Sequence, residues 1–224
     1  MGYKGLAGQE GSAAPASTAT GAGTKDTVVS VQNLHELGNL YQIVYADPPW
    51  HYKVWSKKGA SRTASSHYNV MSKSDIQAIP VGKLCDKNCA LFMWATYPQL
   101  EEAMELVNAW GFEYKTVAFT WVKQNKKTPS LFWGMGHWTR SNAEVCILAT
   151  RGKPHRINKG VHSVVMSAVQ EHSRKPDEVR NRIVQLMGDL PRIELFARRN
   201  AEGWDAWGNE VENSVQLKEF SNDC

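Results

Sequence analysis

The sequence predicts an α/β domain on a mostly parallel sheet, and three stretches predict it. Residues 41–46, Tyr-Gln-Ile-Val-Tyr-Ala, form a short apolar run of β-branched and aromatic residues that reads as a buried strand. That run stops at Asp47-Pro48-Pro49-Trp50. Neither proline has an N–H and each fixes its own φ, so the ladder ends and the turn is stiff. Further on, a strand over residues 90–96, a helix opened by Pro98 and a strand over 114–122 alternate in the rhythm of a parallel crossover.

The bulk numbers fit one such domain. The chain has 224 residues, 42% hydrophobic and 21% charged, which suffices for a full core. No apolar run reaches membrane-spanning length and no signal-type apolar segment opens the chain, so neither membrane nor export is expected. A net charge of +4 permits a polyanionic partner without demanding one. Nine tryptophans serve a core or stack on bases. Of Cys85, Cys89, Cys146 and Cys224 only the first two are close, with no second Cys or His pair to complete a zinc site. Reduced thiols in an intracellular protein and no structural metal are the expectation.

In chain order, residues 1–26 are Gly, Ala, Ser and Thr with almost no large apolar side chain and are expected to be a disordered tail. The folded domain is expected over 27–211, with Gly38-Asn39 turning into the central strand and a polar extension over 212–224. Asp47 and the Pro48 carbonyl are expected to stand side by side at the C-terminal edge of the sheet, where open α/β sheets bind ligands. That makes two acceptors and no donor, matched to the two N–H groups of a nucleobase amine, with Trp50 against the ring. The loop that follows, with His51, Tyr52, Lys53, Trp55, His67 and Tyr68, mixes cations and rings as a nucleic-acid contact does.

Residues 72–79 read as a short helix capped by Ser72 or Ser74. Leu100, Ala103, Met104, Val107 and Trp110 recur at helical spacing up to Gly111. Residues 123–139 form a long irregular piece with Lys123, Lys126 and Lys127 and then a Trp- and Gly-rich run through His137 and Trp138, a length that points to function. A strand over 144–150 leads to a second basic cluster, Arg151, Lys153, Arg156 and Lys159, a further candidate to track phosphates. A strand over 162–169 precedes Pro176, which is expected at a first helical position, with Lys175 at the helix mouth where a ligand carboxylate can be held. Residues 192–197 form the last core strand, ending in Arg198-Arg199-Asn200. The piece over 203–210 is turn-rich, and its Asn209 and Glu210 are placed to reach ribose hydroxyls.

Asp47-Pro48-Pro49-Trp50, Arg174-Lys175-Pro176-Asp177-Glu178, Glu194-Leu195-Phe196-Ala197-Arg198 and Gly208-Asn209-Glu210 occur in an order that resembles the N6-adenine methyltransferases of the MT-A70 family, relatives of the catalytic subunit of the mRNA adenosine methyltransferase. The resemblance runs from about Leu40 to Val211. It implies a Rossmann-like, S-adenosyl-L-methionine-dependent fold with seven strands, helices on both faces and a permuted motif order. Residue by residue it implies that Lys175 holds the methionine carboxylate, that Arg198 and Asn209 contact the ribose, that Phe196 shapes that pocket, and that Asn200 and Glu210 border it. Asp47 would face both the cofactor and the target amine. Tyr68 and Glu144 would lie on the base side, with the loop of His137 and Trp138. Glu210 stands where the family often has Gln, and Arg199-Asn200 where it has His-Asn.

The expected reaction is methylation of adenine N6 in DNA, as in a compact bacterial or phage enzyme of the cytoplasm. The alternatives are the same reaction on RNA, cytosine N4 as target, or a non-catalytic nucleic-acid-binding subunit. Pairing with a second copy or a related subunit is also implied.

Overall fold

The structure is a computed structural model that describes residues 29–30, 38, 40–50, 71–136, 138–171 and 174–217. Its strands are β1 (Val29–Ser30), β2 (Tyr41–Ala46), β3 (Cys85–Ala95), β4 (Glu113–Gln124), β5 (Glu144–Arg151), β6 (Val164–Ala168), β7 (Arg192–Leu195), β8 (Asp205–Trp207) and β9 (Val215–Gln216). The helices are α1 (Lys73–Ala78), α2 (Val81–Leu84), α3 (Leu100–Ala109) and α4 (Glu178–Met187).

One seven-stranded sheet runs β6-β4-β5-β3-β2-β7-β8. β2 lies parallel to both β3 and β7, which explains its unbroken apolar run: a central parallel strand is covered on both faces. Val44 and Ala46 belong to the core beneath α1, α2 and α3, whereas Ile43 and Tyr45 belong to the core beneath α4. Helices therefore pack on both faces, as the family resemblance implies. β5 is antiparallel to β3 on one side and to β4 on the other, so it alone runs against the sheet. The expectation of a mostly parallel sheet holds, with this one reversal.

The local signals act as read. Ser72 caps α1 in a reciprocal box: its hydroxyl accepts the Asp75 N–H at 3.1 Å and the Asp75 carboxylate accepts the Ser72 N–H at 3.3 Å. After α3, Gly111 takes φ +80°, open to glycine at little cost, and the Phe112 N–H returns to the Val107 carbonyl. Two helix starts shift. Pro98 lies in a 3₁₀ turn (Tyr97–Gln99) and α3 begins at Leu100. Pro176 lies outside α4, whose N-cap is Asp177.

The C-terminal expectations need correction. Within the turn-rich piece over 203–210, β8 pairs parallel to β7 and forms the sheet edge. Beyond Val211 the chain does not leave the fold: β9 pairs with β1, and Val215 and Leu217 are buried in the first core. Only isolated apolar residues mark this return, so it carries no periodic signal in sequence. The expected tail over 1–26 falls outside the described residues. Among the described residues no helix is long and apolar enough to cross a membrane.

Candidate active site

Ala46, the last residue of β2, is in register with Met93 of β3 and Leu195 of β7. Asp47 therefore leaves the sheet between Trp94 and Phe196, at the C-terminal edge of the parallel strands. The reversed strand delivers its first residue, Glu144, to the same edge, opposite Trp121 of β4. Lys123 follows two residues after Trp121, on the same face of β4. The segment between β6 and α4 brings in Lys175.

These four side chains form a line of alternating charge. The Lys175 ammonium lies 2.9 Å from Asp47 Oδ2 and 3.2 Å from Glu144 Oε2, and the Lys123 ammonium lies 2.5 Å from Glu144 Oε1. Indole rings wall the line: Lys175 Nζ is 5.7 Å from the Trp94 ring and Lys123 Nζ 5.1 Å from the Trp121 ring. Burial pushes the Glu144 carboxyl up, but Lys175 and Lys123 outweigh it and hold the group below its ordinary value. Burial likewise pulls the Lys175 ammonium down, and Asp47 and Glu144 reverse that and raise it. Glu144 is thus an ionised, buried carboxylate and Lys175 a firmly charged ammonium.

The corner itself differs from the expected acceptor-only notch. Asp47 carries the Lys175 ammonium, and the Pro48 carbonyl accepts the Trp50 backbone N–H at 2.8 Å. A carbonyl oxygen has two lone pairs, so this bond occupies one of them. The Trp50 indole N–H donates to the Trp94 carbonyl at 3.3 Å and its half-buried ring packs on the first core, anchoring the turn that Pro48 and Pro49 stiffen.

On the other side of Asp47, Phe196 directly follows β7 with φ +61°, a left-handed conformation unusual for a bulky residue. Its ring stacks on Trp110 at 6.4 Å and meets Trp207 edge-on at 5.5 Å, so the side chain serves the core face rather than the rim. Such strain persists where the surroundings over-determine it and clusters at functional sites. The next residue approaches β8 closely. The Ala197 N–H donates to the Trp207 carbonyl, and a Cβ on Gly208 would stand 2.1 Å from the Ala197 oxygen, so only glycine fits there. This contact brings Arg198 and Glu210 together at 3.8 Å, with Asn209 exposed between Gly208 and Glu210 and Asn200 exposed two residues past Arg198.

A second charged network lies beneath. Arg180 of α4 forks onto Glu194 of β7 through Nε at 2.6 Å and Nη2 at 2.7 Å, and reaches Asp177 at 2.8 Å. Asp177 also pairs with Arg174 and Arg199. Burial raises the Glu194 carboxyl above its ordinary value despite Arg180.

Of the residues singled out in the sequence, the structure joins Asp47, Lys175 and Glu144 directly and sets Arg198 and Glu210 beside one another. Trp138 is 93% exposed on the loop between β4 and β5. His51, Tyr52, Tyr68 and His137 lie outside the described residues. The second basic cluster is displaced from its expected role. Arg151 ends the reversed strand, so it sits at the opposite edge of the sheet, where it donates to the Gly82 carbonyl, and Ile157 is bonded to the far end of α4. Sequence reading missed Lys123 as a partner of Glu144, placing it in the basic run that opens the long irregular piece over 123–139. Its two-residue spacing from Trp121 on a strand was the available signal. Arg180 and Glu194 were missed as well, because no local pattern joins a helix residue to a strand residue across the core. Cys85, Cys89 and Cys146 are free thiols buried in the two cores.

Comparison with known proteins extends these observations. The MT-A70 family profile matches residues 41–210. The chain is 34% identical over 195 residues to the Type II methyltransferase M.MunI of Mycoplasma sp, covering 79% of this chain and 81% of that one. It is 30% identical over 181 residues to the N(6)-adenosine-methyltransferase MT-A70-like protein of Arabidopsis thaliana, and 29% identical over 176 residues to the human N(6)-adenosine-methyltransferase catalytic subunit METTL3. Those two alignments cover 79% and 77% of this chain but only 24% and 28% of the relatives, so the chain spans about a quarter of their length.

Proposed function

We propose, from the premise that this chain belongs to the MT-A70 family of methyltransferases, that it transfers a methyl group from S-adenosyl-L-methionine to the N6 amine of adenine in DNA. The observation that carries the reading is Asp47, fixed at the ligand edge by a half-buried lysine 2.9 Å away, with the ionised Glu144 on that lysine's other side.

The residues suit the cofactor. Lys175 is the cation for a carboxylate, and a ligand carboxylate would compete with Asp47 and Glu144 for its ammonium. Arg198, Asn209 and Glu210 rim a place where backbone meets backbone at Gly208, leaving polar groups to meet ribose hydroxyls. Bound there, S-adenosyl-L-methionine supplies an already activated methyl on a sulfonium, so no covalent enzyme intermediate is required. The protein's contribution is alignment, which can be worth on the order of 7 kcal/mol or more. Asp47 accepts one amine hydrogen and the remaining lone pair of the Pro48 carbonyl accepts the other, which turns the nitrogen lone pair toward the methyl. Methyl transfer would form the N–C bond as the S–CH3 bond breaks and S-adenosyl-L-homocysteine leaves as a neutral thioether, and Asp47 is the base within reach of the proton that the charged amine then sheds. In duplex DNA the base must leave the stack, a cost of a few kcal/mol that exposed rings offset.

DNA is favoured because the chain matches most of the length of a bacterial Type II methyltransferase. RNA stands as the second reading, because the other relatives are named for adenosine methylation. Labelled-methyl transfer to matched DNA and RNA oligonucleotides, followed by nucleoside mass spectrometry, tests both. N6-methyladenine in the DNA arm is expected. Product only in RNA would replace the substrate, and N4-methylcytosine would replace the base. Binding to both without any product would leave the chain a partner subunit.

A further inference from the structure

The loop between β4 and β5 shows four large apolar side chains to solvent among the described residues: Leu131 is 37% exposed, Trp133 61%, Met135 78% and Trp138 93%. Exposed aromatics of this size, with exposed Lys126, Lys127 and Arg140 beside them, mark a contact surface for a polyanion with rings. Yet the loop is not slack. After β4 the chain turns back, with Gln124 bridged to Leu131 and the Phe132 N–H donated to the Lys123 carbonyl at 2.9 Å. The Gly134 N–H donates to the Ser141 carbonyl at 2.7 Å. A Cβ on Gly136 would lie 1.9 Å from the Thr139 oxygen, so the loop closes on itself only through glycine.

Asn142 ties this loop to the strand that carries Lys123. Its Oδ1 accepts the Lys123 N–H at 3.0 Å, and its Nδ2 donates to the Lys123 carbonyl at 2.9 Å and to the Phe132 carbonyl at 2.5 Å. Lys123 is the outer member of the charged line that reaches Asp47 through Glu144 and Lys175. One half-buried amide thus fastens three chain segments: the end of β4, the returning loop and the entry to β5.

We infer that Asn142 is a positioning residue that holds the aromatic loop rigid beside the charged line, so that a polynucleotide held by the loop is presented to Asp47. This rests on the nucleic-acid substrate proposed above. It places Asn142 outside the chemistry and outside the cofactor pocket, which sets its signature.

The test uses the full chain with Asn142→Ala, Asn142→Asp and Trp138→Ala. Asn142→Asp keeps the acceptor for the Lys123 N–H and loses both donated bonds, a milder change to folding. The expected result is a KM for the oligonucleotide raised roughly tenfold in both Asn142 variants, from lost bonds worth about a factor of ten together. Trp138→Ala should raise it similarly, while S-adenosyl-L-methionine affinity by calorimetry stays at the wild-type value in all three. Hydrogen exchange should speed up over residues 131–141 in the Asn142 variants alone. Unchanged KM with unchanged exchange overturns the inference, as does a loss of cofactor affinity equal to the loss of oligonucleotide affinity. Should the wild type methylate no polynucleotide, the proposed substrate fails by itself. Exchange then decides the clamp, with lost protection sustaining it and retained protection sinking it.

Discussion

Two charged systems cross the middle of this molecule, and they are built from different cations. The line Asp47–Lys175–Glu144–Lys123 uses lysines, each a compact point charge, and Lys175 is shared between two carboxylates at 2.9 and 3.2 Å. The system beneath it uses Arg180, whose planar fork meets both oxygens of Glu194 at 2.6 and 2.7 Å. A fork with both teeth engaged has one good geometry and pins α4 to β7. A shared ammonium can change partners without changing place. The contrast separates a network that pins the architecture from one whose shared ammonium can change partners, as the proposed binding of a cofactor carboxylate requires.

The largest effect that sharpens this contrast is expected at Asp47. Asp47→Ala should lower methyl transfer about a thousandfold, roughly 4 kcal/mol of barrier, while cofactor affinity falls less than about tenfold. Labelled-methyl turnover and calorimetry separate the two, and equal losses would make Asp47 chiefly a cofactor residue. Next, Arg180→Met should cost about 3–5 kcal/mol of unfolding free energy in urea melts, because Glu194 is left as a buried charge without its partner. A variant as stable as wild type would erase the proposed division between the networks. Smaller is the exchange of cations. Lys175→Arg should reduce turnover about tenfold or more with little change in stability, whereas Arg180→Lys should cost about 1–2 kcal/mol of stability with turnover nearly intact.

The smallest effect is one of sign. The Glu144 carboxyl sits below its ordinary value of about 4.3, so the stability it contributes is complete above that value and is lost as pH falls through its folded value. The Glu194 carboxyl sits above its ordinary value, so its contribution runs the other way and stability declines as pH rises through its folded value. Unfolding free energy measured from about pH 3 to 7 should therefore rise less steeply in Glu144→Gln and more steeply in Glu194→Gln than in the wild type. Slopes changing in the same direction would contradict the assignment.

Much of this was legible in the chain. The β2 boundaries and the corner at Asp47 were readable because a buried strand and a double proline are both local events. The α1 cap and Gly111 were readable for the same reason. What stayed hidden depends on partners remote in sequence. Lys175 and Asp47 are 128 residues apart, and nothing near either one announces the pairing. The direction of β5 is set by its neighbours, so the arrival of Glu144 at the ligand edge, and the removal of Arg151 from it, followed only from the fold. β8 escaped because three residues between glycines carry too short a pattern to read as a strand. The donors at the corner escaped because the rigid turn was read for its acceptors alone, while the Trp50 N–H two residues on is what closes it.

The reversal of β5 has an evolutionary consequence. Because β4 and β5 are neighbours, the segment joining them leaves and re-enters the sheet at adjacent points, while Arg198 and Glu210, proposed above to face the ribose, follow β7 and β8 across the sheet. If that segment contacts the target as proposed, it can be exchanged as a cassette, lengthened or rewritten, provided its two stems and the amide that fastens them are kept. Diversification of recognition on such a scaffold would require no renegotiation of the proposed methyl-donor half.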